Sequence, residues 1–462
     1  MHIRKIVLEN VRCFDRVELD LTRPDGSLAG WTVLAGRNGT GKSTLLKAIA
    51  LAVAGPRVAG ILQRSFLSWI KYGETTATAT VNIVSYDADD NEGSAEKDFR
   101  VARDARLEWV RPAGDAEPHI FPGMDLVLLD STNPQGFGYL GPWSDNPSKW
   151  FIAGYGPQRR IGNQTDFKKA GRQMEARLWS LFDEETTLAE SLQWLRDLRA
   201  QHLELREKTK TNPSLNEELK NTEKLYQHIV ALLNDGLLPD DWTAVGFDLR
   251  SGLMVERNGL TISITGFSDG YRAAIALVLD IVRQMHRCFN ERLEVTQRRI
   301  NGKNVIQVDH EGIVLIDEVD AHLHVSWQQR IGFWLKQHFP NIQFIVTTHS
   351  PFVCQAADPK GLIRLPLPGT NERVEHVSED LYYTVVNGDV DDAVMSSLFG
   401  LERPHSEEAE KLRSRIAKLE VRELRGVATK EEKDELERLL VQLPKNGNVV
   451  VEQALRKLGE MG

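Results

Sequence analysis

Cysteine is scarce in this sequence, and positive charge is not in excess. The 462 residues include three cysteines, Cys13, Cys288 and Cys354, which lie far apart and form no C-x-x-C pair. This spacing excludes a disulfide scaffold and a cysteine-only zinc site, and it fits a reducing compartment. The formal net charge of −9 argues against a surface coated with nucleic acid, although a local basic groove stays open.

Long hydrophobic runs and targeting signals are also missing. The longest apolar run, residues 48–55, is too short to cross a bilayer. The N-terminus runs directly into a strand pattern, so we expect no signal peptide. A hydrophobic content of 41% and a charged content of 27% are ordinary for a globular protein. We therefore expect a cytoplasmic protein of two or three domain-sized units with no membrane partner.

The stretch 31–49 contains a buried strand, a glycine-rich loop and the start of a helix, and residues 36–43 match G-x-x-x-x-G-K-S/T without a mismatch. Glycines let backbone N–H groups surround a phosphate, and the helix start directs the positive end of its dipole towards it. Lys42 is predicted to reach the β- and γ-phosphates, and the Ser43 hydroxyl to hold Mg²⁺. The predicted nucleotide contacts of this loop are Gly36, Arg37, Asn38, Gly39, Thr40, Gly41, Lys42, Ser43 and Thr44.

Two later apolar strands end in side chains that suit the same chemistry. Residues 312–316 lead into Asp317 and Glu318, and residues 344–348 lead into His349. Asp317 is predicted to meet the metal, directly or through water, and Glu318 to polarise the attacking water. His349 is predicted to hydrogen-bond the γ-phosphate and to sense its loss. Together with the phosphate loop, these residues predict hydrolysis of a nucleoside triphosphate.

A further candidate lies where a long helix is predicted to begin. Ser268, Asp269 and Gly270 precede the apolar pattern of residues 271–293. Ser268 and Gly270, together with the helix N-terminus, offer N–H and O–H donors to a phosphate. An ordinary helix cap with Ser268 as the N-cap residue explains the same pattern, and geometry alone favours it.

The coarse pattern divides the chain into four segments: an ATPase lobe with antiparallel strands (1–165), a helical lobe (166–242), a segment that completes the core (243–390) and a C-terminal helical hairpin (391–462). Strands are predicted within 3–21, 75–84, 98–110, 126–129 and 243–264, with a turn at 87–93. Long helical spacing covers 172–235, and a hairpin broken near Gly426 is predicted over 406–443.

The order of these motifs resembles that of ABC-type ATPases of the RecF/SMC/OLD-like group, within the AAA family ATPases. The resemblance implies an α/β P-loop fold with a mixed sheet, a helical lobe and a C-terminal helical segment. It also implies a head-to-tail dimer, in which Ser268, Asp269 and Gly270 of one subunit cover ATP–Mg²⁺ on Lys42 of the other. Arg12, in a segment similar to the N-F-R-x-F strand turn of such heads, is expected near the nucleotide.

The sequence also departs from that family. Its signature is Phe-Ser-Asp-Gly-Tyr rather than Leu-Ser-Gly-Gly-Gln, and the loop after the acidic pair ends Ala-His-Leu-His, which is similar to the OLD-like branch. The resemblance places Asp320 and His324 at the dimer seam. Gln158 is either the family's metal-contacting glutamine or an ordinary loop residue, and the pattern favours neither.

Three biological roles are compatible with such an ATPase. It controls a separate nuclease or other effector in anti-phage defence, as Septu-type and OLD-like relatives do, or it acts directly on DNA in repair, or it drives a transporter. The helical lobe disfavours the transporter. The basic stretch 159–177 is either a nucleic-acid contact or a solvated helix face. We interpret Asp389, Asp391 and Asp392 as a solvated turn, and no nuclease domain is visible. The C-terminal helices are predicted to dock onto a second copy or a partner.

Overall fold

A computed structural model describes residues 1–86, 100–114, 116–129, 137–144, 150–159, 174–239, 241–248, 250–400 and 406–442. The chain divides into two compact units, residues 1–400 and 401–462. The helices are α1 (Lys42–Leu62), α2 (Met174–Phe182), α3 (Ala189–Lys208), α4 (Asn216–Asn234), α5 (Asp269–Cys288), α6 (Val325–Gln328), α7 (Ile331–His338), α8 (Pro351–Cys354), α9 (Glu379–Asn387), α10 (Val390–Met395), α11 (Glu407–Leu424) and α12 (Lys430–Leu440).

The strands are β1 (His2–Val11), β2 (Phe14–Asp20), β3 (Gly30–Ala35), β4 (Thr76–Tyr86), β5 (Arg100–Val110), β6 (His119–Pro122), β7 (Val127–Leu129), β8 (Phe137–Tyr139), β9 (Ile152–Tyr155), β10 (Thr243–Asp248), β11 (Gly252–Arg257), β12 (Leu260–Ser263), β13 (Val295–Ile300), β14 (Lys303–Val308), β15 (Gly312–Ile316), β16 (Ile342–Thr348), β17 (Leu362–Arg364) and β18 (Glu375–His376).

The central sheet has the strand order β18-β17-β3-β16-β15-β9, and its five strands from β17 to β9 are parallel. Both β15 and β16 are buried at every position, as expected when both faces of a parallel sheet are covered. The strand β16 lies between β3 and β15, so the carboxyl ends of all three meet at one edge. That edge is where open α/β sheets bind their ligands.

Side chains of the central strands alternate between two hydrophobic cores. Leu34, Ile313 and Ile345 join a core with α1 and the antiparallel sheet β2-β1-β4-β5-β6. Val33 and Val314 join the other core, with α3, α4, α5, α7 and the sheet β10-β11-β12. Among the described residues, α1 is the one helix long and apolar enough to cross a membrane, and 72% of its apolar window is buried inside the protein.

The C-terminal unit contains the helical hairpin that the sequence predicts. Helices α11 and α12 pack through a small apolar cluster of Ile416, Leu419 and Leu436. Arg415 of α11 forms an ion pair with Glu435 of α12 at 2.7 Å. A reciprocal capping box of Thr429 and Glu432 starts α12, which satisfies two backbone donors that the helix itself cannot pair.

The predicted elements agree with the structure in most places. The strand pair within 3–21, the antiparallel pair β4–β5 and the helices of the 172–235 region are confirmed, while the turn 87–93 lies outside the described residues. The predicted helix 271–293 is wrong at its end, because α5 stops at Cys288 and the next turn puts Asn290 and Glu291 in left-handed conformations. The sequence interpretation missed β9 and the hairpin β13–β14. The four-segment division of the chain stays a prediction.

Candidate nucleotide site

The glycine-rich loop connects β3 to α1 at the carboxyl edge of the central sheet. Gly41 has a φ of 90° and is the residue before the helix. A Cβ atom there would lie 2.5 Å from the Phe14 ring and 2.7 Å from Cys13 Sγ, and one at Gly36 would lie 2.5 Å from the carbonyl oxygen of Leu365. Both glycines are therefore required by the close packing around the loop.

Lys42 places its ammonium group inside this loop. Only 6% of the residue is exposed, and its Nζ donates to the carbonyl oxygens of Gly36 at 2.8 Å and Arg37 at 2.9 Å. Burial lowers the pKa of Lys42, and the carboxylates of Asp317 and Glu318 oppose that shift. A cation held at the N-terminus of α1 is the arrangement that binds a polyphosphate.

Arg37 and Thr40 make hydrogen bonds that hold the phosphate loop. The Arg37 guanidinium donates from Nε to the carbonyl oxygen of Phe399 at 3.3 Å and from Nη2 to that of Gly400. The Thr40 hydroxyl donates to the Arg37 carbonyl oxygen at 2.9 Å. Among the described contacts, none joins the side chain of Asn38 or Ser43 to these hydrogen bonds. Both residues line the cavity described below.

The acidic pair lies at the end of β15. Asp317 is 4% exposed, and its Oδ1 accepts a hydrogen bond from the Thr347 hydroxyl at 2.5 Å. The N–H of Glu318 donates to the same hydroxyl oxygen at 2.7 Å. Glu318 is half-buried and has a φ of 46°, a left-handed conformation that is uncommon for a residue with a side chain. Its backbone is therefore held by its surroundings.

His349 follows β16, which lies between the phosphate loop strand and the acidic strand. Its N–H donates to Asp320 Oδ1 at 3.3 Å, and the same oxygen accepts from the Thr348 hydroxyl at 2.5 Å. Burial lowers the pKa of His349, Lys42 lowers it further, and Asp320 opposes both. The imidazole is therefore neutral near pH 7 and can donate one N–H to a phosphate oxygen.

These groups share one cavity of about 360 Å³. It is lined by Arg12, Cys13, Asn38, Gly39, Thr40, Gly41, Lys42, Ser43, Thr44, Glu318 and His349. The structure thus brings together Arg12, most of the phosphate loop including Lys42, and the predicted catalytic side chains of Glu318 and His349, although the first and last of these residues are 337 positions apart in sequence. Asp317, which precedes Glu318 in the chain, does not line this cavity.

The predicted magnesium ligands suit a hard cation that keeps water and phosphate oxygens in its shell. Ser43 offers a hydroxyl and Asp317 a carboxylate, while Gln158 follows β9 on the far side of β15 and does not line the cavity. Among the described residues, no group of three or more His, Cys, Asp or Glu side chains is placed to hold a metal. The metal role of Gln158 stays a prediction.

The serine-containing signature lies outside this cavity. Ser268 and Asp269 are exposed, and Ser268 occupies the N-cap position of α5 without a hydrogen bond from its side chain to the helix. Gly270 permits a close approach to the turn after the acidic pair, because a Cβ atom there would lie 2.3 Å from the carbonyl oxygen of His322. Ser268 is therefore the N-cap residue of α5, as the cap interpretation predicts, but its exposed side chain makes no capping hydrogen bond.

The basic stretch 159–177 contains a residue that the sequence interpretation misjudged. Arg159 and Arg177 are 2% and 4% exposed, so neither belongs to a solvated or phosphate-binding face. Residues 160–173 lie outside the described residues. Arg159 donates to the backbone of the turn that carries Glu318, and its local sequence pattern gives no signal that would have revealed this contact. Asp389, Asp391 and Asp392 are exposed, as interpreted, but Asp391 and Asp392 lie in the first turn of α10 and not in an irregular turn.

Comparison with known proteins agrees with this geometry. A family described as "AAA domain" matches residues 5–113, and a second AAA domain family, whose description names the AbiEii toxin and type IV TA systems, matches residues 173–355. A Septu protein PtuA of Bacillus mycoides is 27% identical over 350 residues, which is 76% of this chain and 38% of that protein. The retron Ec83 probable ATPase of Escherichia coli is 42% identical over 110 residues, 24% of this chain and 18% of that protein.

The chain thus aligns with well under half of the length of these two curated relatives. Among solved structures, an SMC head bound to the C-winged helix domain of ScpA has a TM-score of 0.43 at 14% identity, with 82% of this chain and 97% of that chain covered. RecF with ATP has a TM-score of 0.38 at 14% identity, with 81% and 99% covered. The chain is an α/β protein with a phosphate-loop motif, and it is similar to AAA domain families over residues 5–113 and 173–355 and, over part of its length, to a Septu PtuA protein and a retron ATPase.

Proposed function

We propose that this protein hydrolyses ATP with Mg²⁺ as a head-to-tail dimer, and that the cycle controls a separate effector, such as a nuclease, in anti-phage defence. The observation that carries the proposal is the single cavity in which Lys42, Ser43, Glu318 and His349 meet. A phosphate-binding cation, a metal-binding hydroxyl, a carboxylate and a neutral imidazole are the groups that phosphoryl transfer to water requires.

Each of these side chains has a distinct task in the proposed reaction. The loop N–H groups and Lys42 bind the β- and γ-phosphates, and Thr44 adds a donor at the first turn of α1. Ser43 and Asp317 would hold Mg²⁺, which neutralises charge on the phosphates when bound. The Glu318 carboxylate accepts a hydrogen bond from a water molecule and so orients it for in-line attack. His349 donates its N–H to the γ-phosphate and loses that partner after hydrolysis.

The exposed start of α5 supports the dimer. Ser268 is an exposed residue at a helix N-terminus, its side chain makes no capping hydrogen bond, and it lies outside the cavity of its own chain. In a two-fold pair, the same surface of each chain faces the nucleotide of the other. ATP then adds contacts across the seam and favours the closed pair, and loss of the γ-phosphate removes them.

The relatives support a defence role, because the matched proteins are a Septu protein and retron ATPases. Direct action on DNA, the alternative role, is less well supported, since two arginines of the basic stretch are buried. A cytoplasmic location is part of the same proposal. We propose no transporter role.

The proposal is tested with Glu318→Gln. The carboxamide keeps the size of the side chain but cannot accept a proton, so hydrolysis should fall by about 100-fold or more while ATP binding persists. Size-exclusion chromatography with light scattering should show a dimer of the variant in ATP–Mg²⁺ and a monomer after the nucleotide is removed. A variant that hydrolyses ATP at the wild-type rate, or that stays monomeric with ATP, would contradict the proposal. Glu256→Gln, on the strand β11, is the matched control.

A further inference from the structure

The side chain of Arg159 is a buried cation whose described partners are all main-chain carbonyl oxygens. The residue is 2% exposed, although guanidinium groups are rarely buried unless they are compensated. Its two terminal nitrogens donate to five oxygens: those of Gly156 at 2.8 Å, Asp317 at 2.8 Å, Glu318 at 2.8 Å, Val319 at 3.2 Å and Ala321 at 3.4 Å.

Four of these five oxygens belong to the turn between β15 and α6. This turn contains two residues with side chains in the left-handed region, Glu318 with a φ of 46° and His322 with a φ of 65°. Such conformations persist only where the surroundings determine them. The turn makes few bonds of its own, such as the one from the Ala321 N–H to the Glu318 carbonyl oxygen at 2.8 Å, so its shape depends on groups from outside.

Two of the outside groups that hold this turn bind the main chain of Glu318 itself. The Thr347 hydroxyl accepts from the Glu318 N–H at 2.7 Å, and Arg159 holds the Glu318 carbonyl group on the other side of the same residue. With its N–H and its C=O both fixed, the Cα–Cβ direction of Glu318 is fixed as well. That direction is what points the carboxylate into the cavity with Lys42 and His349.

The charge of Arg159 also complements this region. The carboxylates of Asp320, Asp317 and Glu318 all interact favourably with it. The planar guanidinium, with five N–H donors in a fixed arrangement, can serve several converging carbonyl groups at once, whereas an ammonium on a flexible stem has three donors around one atom. Lysine at this position would therefore keep the charge and lose part of the geometry.

We infer that Arg159 is a positioning residue for ATP hydrolysis, which fixes the catalytic direction of Glu318 through the backbone of its turn and does not touch the nucleotide. The inference rests on the proposed function. Arg159 then joins the residue after β9, Gly156, to the residue after β15, Asp317, because its Nη1 donates to the carbonyl oxygens of both.

The test compares Arg159→Met and Arg159→Lys with wild type. We expect kcat to fall by about 10- to 100-fold in the methionine variant and by less in the lysine variant, because a 1 Å misplacement of a reacting group costs rates of this order. The dissociation constant of a non-hydrolysable ATP analogue should change by less than about twofold, since the phosphate loop is untouched. Equal losses in kcat and in binding would overturn the inference.

The matched control is Arg23→Met. Arg23 is also buried, at 7% exposed, and donates to the carbonyl oxygen of Ala29 at 2.7 Å, but it lies in the connection between β2 and β3 and makes no described hydrogen bond to the acidic turn. Its loss should leave kcat unchanged within about twofold, as expected for independent sites. A control that loses as much activity as Arg159→Met would show that removal of any buried arginine has this effect and would overturn the inference.

A double-mutant cycle separates positioning from a general structural effect. If Arg159 acts through Glu318, then Arg159→Met should lower the single-turnover rate by less than about twofold in a Glu318→Gln background, because coupled residues are not additive. The same fold-loss in both backgrounds would overturn the inference.

Hydrogen exchange gives a readout that does not depend on hydrolysis. The amides of residues 317–323 should exchange at least about tenfold faster in Arg159→Met and Arg159→Lys than in wild type, since exchange reports local opening, while those of β3 should not change. If the amides of this turn exchange in the Arg159 variants at the same rate as in wild type, the inference is contradicted. If the wild-type protein shows no ATP hydrolysis, the proposed function fails, and the exchange result still decides whether Arg159 holds the turn.

Discussion

The phosphate loop and the start of α5 both present backbone N–H groups at a helix N-terminus, yet their surroundings differ. At the phosphate loop, Lys42 is buried and bonded to two carbonyl oxygens, and Gly36 and Gly41 are enclosed by neighbouring atoms. At the start of α5, Ser268 and Asp269 face solvent. In the first region, the side chains and the packing that shape the site all come from one chain. In the second region, the helix start presents N–H donors, and Ser268 makes no capping hydrogen bond to them.

In a site shared by two chains, the two regions have different tasks. The buried region must bind a highly charged ligand, so its cation and its metal-binding groups are oriented in advance by packing. The exposed region needs only to be reachable by a second chain. Substitutions in the two regions should therefore have different effects on binding and on turnover.

The largest effect is expected in the buried region. Lys42→Ala removes the ammonium group from the cavity, and we expect the dissociation constant for ATP to rise by at least about 100-fold, because charge-assisted bonds to phosphate are among the strongest in proteins. Calorimetric titration with a non-hydrolysable analogue measures this change. Lys336→Ala, which removes an ion pair with Asp358 far from the cavity, should bind normally. Normal binding by Lys42→Ala would show that the loop is not the phosphate site.

A smaller effect, confined to turnover, is expected in the exposed region. Ser268→Arg replaces the hydroxyl by a bulky cation, and we expect steady-state hydrolysis to fall by about 100-fold, as for loss of one donor to a developing charge. ATP binding by the isolated chain should stay within about twofold. The control is Thr261→Arg, an exposed position on β12. Unchanged turnover in Ser268→Arg would break the comparison, since the exposed start of α5 would then have no part in the site.

The smallest effect concerns pH. The pKa of His349 is lower in the folded protein than in the unfolded chain. As the pH falls below 6.5, the unfolded chain therefore binds a proton more readily than the folded protein does. The free energy of unfolding decreases as a result. His349→Gln removes this term, which is worth under about 1 kcal/mol at a partly exposed site. Urea unfolding at pH 5 and pH 7.5 should show a smaller acid loss in the variant than in wild type. An equal loss in both proteins would contradict the prediction, and His322→Gln, at an exposed position, is the control.

The phosphate loop and the ends of β15 and β16 were predictable because their signals are local. The loop motif is contiguous, and the rule that carboxyl ends of parallel strands meet at one edge places Asp317, Glu318 and His349 beside it. Arg12 in the cavity was implied by the resemblance, and the structure places it there. The head-to-tail pairing of Ser268 with a partner's nucleotide stays a prediction.

The remaining features depend on contacts between distant parts of the chain. Arg159 reaches a turn 158 or more residues later, and nothing in its local pattern distinguishes it from the basic residues that follow. The hairpin β13–β14 has four consecutive exposed residues in its first strand, so it lacks the apolar alternation that would have revealed it. The β9 strand has only four residues, too few for a periodic signal.

The contact between Arg37 and the end of the N-terminal unit has a consequence for ligand competition. The Arg37 guanidinium donates to the carbonyl oxygens of Phe399 and Gly400, and a Cβ atom at Gly400, whose φ is 62°, would lie 2.7 Å from Arg37 Nη2 and would push the guanidinium aside. An anion that recruits Arg37 must therefore displace these two oxygens. Any substitution at Gly400 would alter that exchange from a position 363 residues away along the chain.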